Sequence, residues 1–287
     1  MPRRVAKYGR FGPIYEIVPR RAYLIARNLW LDAKSLPRRL SGASGGPLPW
    51  MSLHNYGDGD FYASGQAFVE NLQRQELLTA STRVLDIGCG SGRLAWPLAA
   101  VLSGDGAYCG FDVSKAALRF ARGLVQRRRS DFKFTHADIF SAEYNPRGRL
   151  RAAEFKFPAD ANSVDLAIAI SVFSHLLEAD AKAFLREIAR TLSPNGRAYI
   201  TAYLVDESAR KRIETGQAAT ALQPLAGAVW AGDLATPEAA TGYDEDAFIT
   251  MVGDAGLRLD GAVNRGGWSF PKTEGGHHQD VLILAKS

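Results

Sequence analysis

The chain is poor in cysteine, with Cys89 and Cys109 its only two among 287 residues. Neither their spacing nor their surroundings form a zinc site or a disulfide framework. The small stapled secreted scaffolds are therefore excluded, and a reducing, cytoplasmic setting is expected. Long apolar runs are missing as well. No stretch reaches the ~18 consecutive apolar residues of a membrane-spanning helix. The first residues lack the apolar core and small-residue cleavage site of a signal peptide. Metal ligands are scarce: His277 and His278 are neighbours that project differently and have no third companion, so no metal is expected. Acidic residues are rare at one end only. Residues 1–40 carry ten Lys and Arg against Glu16 and Asp32, a net of +8, while the remainder nets −3.

What is present centres on Val84-Leu85-Asp86-Ile87-Gly88-Cys89-Gly90-Ser91-Gly92-Arg93. Val84, Leu85 and Ile87 read as a buried strand, and a helix follows over 94–102. The glycines between them permit a tight turn and close approach to a ligand. The helix start presents unpaired N–H groups. Such a turn at the carboxyl edge of a parallel sheet suits a nucleotide-type cofactor. The spacing is G-x-G-x-G, whereas dinucleotide sites read G-x-G-x-x-G. Asp86, two residues ahead of the first glycine, would repel a pyrophosphate and suit a cation.

This stretch resembles motif I of the class I methyltransferases that use S-adenosyl-L-methionine (SAM). The resemblance extends over residues 55–287 and implies an α/β, Rossmann-like fold. That fold has a seven-stranded, mostly parallel sheet, helices on both faces, and an antiparallel last strand inserted between the fifth and sixth. It also implies that Asp86 lies near the methionine part of SAM and that the glycine loop lines the amino-acid portion and ribose. Asp112 ends a second strand over 107–112, roughly 20 residues beyond the loop, where an acid accepts from ribose hydroxyls. NAD sites use an acid there too, and a helix-capping part beside Ser114 is compatible. After a short strand over 132–135, Asp138 takes the adenine amino group by resemblance, and Ile139 packs on the ring.

The fourth strand, over 163–170, is a continuous apolar run suited to burial on both faces. It leads into Ser171-Val172-Phe173-Ser174-His175-Leu176, which looks like the same place in many small-molecule methyltransferases. The N/D-P-P-Y/F string of base amino-methyltransferases is absent, as are the clustered acids of metal-dependent catechol-type enzymes. The resemblance thus assigns SAM to Phe61, Asp86, Gly88, Cys89, Gly90, Arg93, Asp112, Val113, Asp138, Ile139 and Ser171. His175 is the candidate catalytic residue. Histidine titrates near neutrality and can serve as a general base, but a lone histidine with no visible partner better fits a capping or packing role beneath the substrate pocket. Alignment alone carries much of a methyl transfer.

Outside this core, residues 1–50 read as a basic extension and linker, and 51–287 as the catalytic domain. A helix from about residue 20 interleaves Tyr23, Leu24, Leu29 and Trp30 with arginines. It suits packing on this or a partner subunit, peripheral contact with an anionic membrane, or, less well, nucleic acid. A helix over 63–78 should cover the cofactor, with Phe61 and Gln66 near SAM or Phe61 acting as a hydrophobic staple. Two insertions, 141–160 and 206–242, are expected at the substrate side, the second as a partly helical lid. The sixth and seventh strands are expected over 257–263 and 280–285, with Trp268, His277 and His278 toward the acceptor. The expected activity is methyl transfer to an oxygen or nitrogen of a small-molecule or glycan/lipid-linked acceptor. An RNA-modifying enzyme using the basic arm and a non-catalytic SAM-binding protein are the alternatives.

Overall fold

A computed structural model describes residues 20–41, 46–51, 60–141, 144–270 and 278–287. The calls upon His54 to Gly59 and His277 therefore lie outside the described residues. The chain divides into two compact units, Met1–Ser81 with Cys89–His136, and Thr82–Gly88 with Ala137–Ser287.

In chain order the helices are α1 (Arg20–Leu40), α2 (Phe61–Arg74), α3 (Ala95–Val101), α4 (Lys115–Val125), α5 (Glu178–Thr191), α6 (Glu207–Glu214) and α7 (Glu245–Asp254). The strands are β1 (Arg83–Ile87), β2 (Ala107–Asp112), β3 (Lys133–His136), β4 (Val164–Ala169), β5 (Leu192–Ala202), β6 (Leu204–Val205), β7 (Gln223–Ala226), β8 (Val229–Ala231), β9 (Thr241–Asp244), β10 (Leu257–Leu259) and β11 (Asp280–Lys286). Seven of them form one sheet in the order β10-β11-β5-β4-β1-β2-β3. β11 runs antiparallel to both β5 and β10, while β1, β4 and β5 pair in parallel, as do β2 and β3. This is the expected Rossmann-like topology, including the late strand inserted beside the fifth.

Local chemistry explains the elements. In β4, Leu166 to Ala169 are all buried, as a central strand covered on both faces requires. In α4, Ala117, Leu118, Ala121, Leu124 and Val125 fall on one buried stripe. Ser114 caps that helix by accepting from the amide of Ala117. Asp60 does the same for α2, accepting from the amides of Tyr62 and Ala63, and so starts the helix at Phe61 rather than Ala63.

Two expectations change. β10 ends at Leu259, and beyond it the Asp260 amide donates to the Ile283 carbonyl and Asn264 bridges to Val281, so the sixth strand is shorter than its apolar pattern suggested. The segment 206–242 is a partly helical insertion, as expected, but it also builds a second sheet in the order β6-β9-β8-β7. Its strands hold two to four residues, too few to display a period of two, which is why composition alone read as loop.

One buried carboxylate organises this part of the second unit. Asp280, at the start of β11, accepts from the amides of Leu204 (2.9 Å) and Gly266 (2.8 Å) and from the indole of Trp268 (2.6 Å). Burial raises its pKa, while those donors and the charge of Arg265 pull the other way. Trp268, expected to face an acceptor, is instead a core ring packed with Tyr203, Val205, Leu222 and Trp230. Giving its N–H to Asp280 turns it inward.

Asp280→Ala leaves three buried donors without an acceptor. It should lower unfolding stability by about 3 kcal/mol or more, measured by urea denaturation, with Trp268 emission shifting toward that of an exposed indole.

Candidate active site

In the first unit the glycine turn is held from the end of β2. The two oxygens of Asp112 accept from the amides of Gly90 (2.9 Å) and Ser114 (2.7 Å), and the amide of Cys89 donates to the carbonyl of Phe111 (3.0 Å). Asp112 thus holds the amide of Ser114, while Ser114 alone caps α4 through its own hydroxyl. Cys89 is buried, and a side chain on Gly110 would come within 2.9 Å of its Sγ. The carbonyl of Val113 accepts from Nε2 of His136 at 3.2 Å. Phe61 is fully buried, with its ring edge-on to Phe120 and Tyr62, which is the packing arrangement rather than an exposed one. Gln66 is exposed and donates to Glu70, one turn along α2.

Sequence reasoning missed two residues here. A Cβ on Gly65 would lie 2.2 Å from the carbonyl oxygen of Arg93, so only glycine lets α2 rest directly on the turn. The signal was a glycine inside an otherwise helical pattern. Ser91, between the second and third motif glycines, buries its hydroxyl with no hydrogen-bond partner among the described residues.

In the second unit β1 delivers Asp86, which is buried, to the start of the turn. Gly88 has φ +71°, and a Cβ there would meet Val172 at 2.8 Å, so any other residue is both strained and obstructed. Asp138 is partly exposed and bonds Nε of Arg149 at 2.7 Å. Its carbonyl accepts from the amides of Arg149 and Leu150, and the carbonyl of Ile139 from the Asn145 side chain, so the 141–160 insertion folds back on these two residues. Ser171 follows β4 with φ +56°, a strained conformation for a non-glycine residue. Its amide donates to Thr201 Oγ1 (2.8 Å), and the hydroxyls of Ser171 (3.3 Å) and Thr201 (2.6 Å) both donate to Oε1 of Gln279. Neither Thr201 nor Gln279 was foreseen, because their strands meet only through the antiparallel pairing of β5 and β11.

His175 is where the two insertions converge. Its Nδ1 lies 2.8 Å from the backbone carbonyl of Glu238, and its ring meets Tyr144 edge-on at 5.3 Å. A carbonyl only accepts, so the proton sits on Nδ1 and Nε2 carries the basic lone pair. The segment bearing His175 is itself fastened by Tyr243, whose hydroxyl reaches the carbonyls of Phe173 (2.8 Å) and Leu176 (2.5 Å). Burial pushes the Tyr243 phenol well above its ordinary pKa, which keeps it a donor. Beside His175, the hydroxyl of Ser174 is buried without a partner among the described residues. Burial and then the charge of Glu238 raise the Asp180 carboxyl, so this neighbourhood is acidic. Among the described residues no group of three His, Cys, Asp or Glu is placed to hold a metal ion.

A mostly parallel sheet whose first strand runs through a left-handed glycine turn into a helix defines an α/β protein built to hold a nucleotide-like cofactor. The family model of the methyltransferase domain matches residues 85–198, from β1 through β5. Over those residues the chain is similar to the SAM-dependent methyltransferases. The chain is 28% identical over 146 residues to the tRNA N(3)-cytidine methyltransferase METTL2 of Gallus gallus. That match takes in 50% of this chain and 36% of the relative, so the chain spans about a third of that relative's length. Among solved structures, a candidate O-methyltransferase of Nostoc punctiforme superposes with TM-score 0.52 at 16% identity, covering 79% of this chain and 56% of that one. The PH0226 protein of Pyrococcus horikoshii gives 0.50 at 14% identity, covering 83% and 96%. At such identities these two share the fold alone.

The residues present fit SAM. In the first unit the orphaned Ser91 hydroxyl offers a polar contact at the loop, and in the second unit Asp86 is a buried acid at the end of β1.

Asp112→Ala strips the acceptor from two amides. The expected cost is about 2 kcal/mol, with faster hydrogen exchange at Gly90 and Ser114 than elsewhere in the unit, read by NMR.

Proposed function

We propose that the chain methylates an oxygen or nitrogen of a small-molecule or glycan/lipid-linked acceptor, with His175 as the general base. SAM, when bound, supplies a methyl group on a positively charged sulfur that is already a good leaving group. We assign its amino-acid part and ribose to Asp86, Gly88, Cys89, Gly90, Arg93, Asp112 and Val113, with Ser171 beside them and Phe61 supporting from the core. Asp138 and Ile139 take the adenine. Arg149, almost fully exposed on its long side chain, gives way to the adenine amino group at low cost.

The observation that carries the acceptor reading is the bond from His175 Nδ1 to the Glu238 carbonyl. It supplies the orienting partner that a general base requires. Nε2 then removes the proton from an acceptor hydroxyl or ammonium-derived nitrogen as that atom bonds the methyl carbon. The electron pair of the broken carbon–sulfur bond would leave with the demethylated cofactor. Glu238 meets His175 through its carbonyl, and the charge of its side chain also raises the nearby Asp180 carboxyl. A polyphosphate backbone is repelled there, which favours a compact or glycan acceptor.

A tRNA acceptor is the second reading, favoured by the match to the Gallus gallus enzyme over half of this chain. The two separate in one assay. Labelled SAM is offered with a panel of small hydroxyl, amine and glycan-lipid acceptors and, in parallel, with bulk tRNA. Label in the panel supports our reading, and label in tRNA alone overturns it.

With the acceptor found, His175→Ala should lower turnover by about 10² to 10⁴ while calorimetry shows unchanged SAM affinity. Near-normal turnover would assign His175 to packing. Asp86→Ala should abolish SAM binding in a folded protein, and retained affinity would mean the cofactor lies elsewhere.

A further inference from the structure

We propose that α1 is a docking surface for an anionic lipid bilayer. The inference rests on the helix alone and stands apart from the acceptor reading above. α1 holds six Lys and Arg and a single acid, Asp32. That acid is buried and turned inward, accepting from the amide of Met51 at 2.6 Å. Arg39 also faces inward. Its guanidinium donates to the carbonyls of Leu48 (2.6 Å) and Pro49 (2.8 Å) and to Ser35 Oγ, and it stacks 3.8 Å from the centre of the Trp50 ring. The helix is thus fastened to residues 48–51 through its polar side.

What faces outward is the reverse of an ordinary surface helix. Ile25 is 60% exposed, Leu29 55%, Leu36 43% and Leu40 85%. At 100° per residue these four fall within an arc of about 60°, so they form one stripe rather than scattered exceptions. Trp30, 52% exposed, stands beside the stripe with the Lys34 ammonium 4.1 Å from its ring centre. Lys34 and Arg27 lie within about 20° of each other on the side of the helix opposite the stripe. An outward aliphatic stripe with basic side chains on the opposite side of the helix and a tryptophan between them is the pattern of a helix lying in a membrane interface. The apolar stripe enters the acyl boundary, while the basic heads reach the anionic headgroups. Phosphates of a nucleic acid would engage the basic residues and leave the four aliphatics in water.

The test uses the full chain in vesicle flotation, with phosphatidylcholine alone and with phosphatidylcholine mixed with phosphatidylglycerol. Binding is expected to the mixed vesicles, weakening as salt rises. The double variant Leu29→Glu/Leu36→Glu should lose it by more than about tenfold, and Lys34→Gln should weaken it about fivefold. Both variants change exposed side chains and should keep wild-type melting curves and SAM affinity. Equal binding to neutral vesicles, no binding to either, or full binding by the double variant overturns the proposal. So does salt-dependent retention of a short RNA without vesicle binding, which makes α1 a nucleic-acid arm. A self-associating chain that becomes monomeric in the double variant assigns the stripe to a second copy and likewise overturns it.

Discussion

Both carboxylate oxygens of Asp112 are committed to backbone amides, one at Gly90 in the turn and one at Ser114 ahead of α4. A loop of alternating glycines has little intrinsic preference for one conformation, since glycine loses the most freedom on ordering. Something outside the loop must choose its shape. Here the choice falls to an acid at the end of the neighbouring strand, helped by the Cys89 amide on the Phe111 carbonyl and by α2 resting on Arg93 across Gly65. The carboxylate that we propose for the ribose thus also shapes the loop beside it.

The second unit repeats the theme on a larger scale. Asp280 draws the β5–β6 corner, the Gly266 amide and Trp268 to one point, and so joins the last strand of the main sheet to the insertion. Gln279, its neighbour in sequence, gathers Ser171 and Thr201. Gln279 directly precedes the strand that Asp280 opens, and the two side chains take separate partners, so one anchors the insertion while the other braces the strained turn after β4. Tyr243 then fastens the segment bearing His175 by two carbonyls. The strain at Ser171 persists because these contacts over-determine it.

α1 departs from this economy. Its polar residues are used for attachment, and its aliphatic residues remain outward. No helix among the described residues is long and apolar enough to cross a membrane.

Much was legible in the chain itself. The glycine motif, the acids at successive strand ends and the apolar run of β4 are local signals, read within a dozen residues, and they determined the methyltransferase fold and the cofactor. The partners of His175 were not legible. Glu238 lies 63 residues away and contributes a backbone carbonyl, which every residue type possesses and no sequence pattern marks. Gln279 meets Ser171 across 108 residues through an antiparallel pairing. The three short strands of the insertion carry no period at all. Which aliphatic residues of α1 face outward was equally hidden, because periodicity defines a stripe without saying what covers it. Local propensity and spacing specified the fold and its cofactor loop; long-range packing decided the tautomer of His175, the brace on Ser171 and the side of α1 left in water.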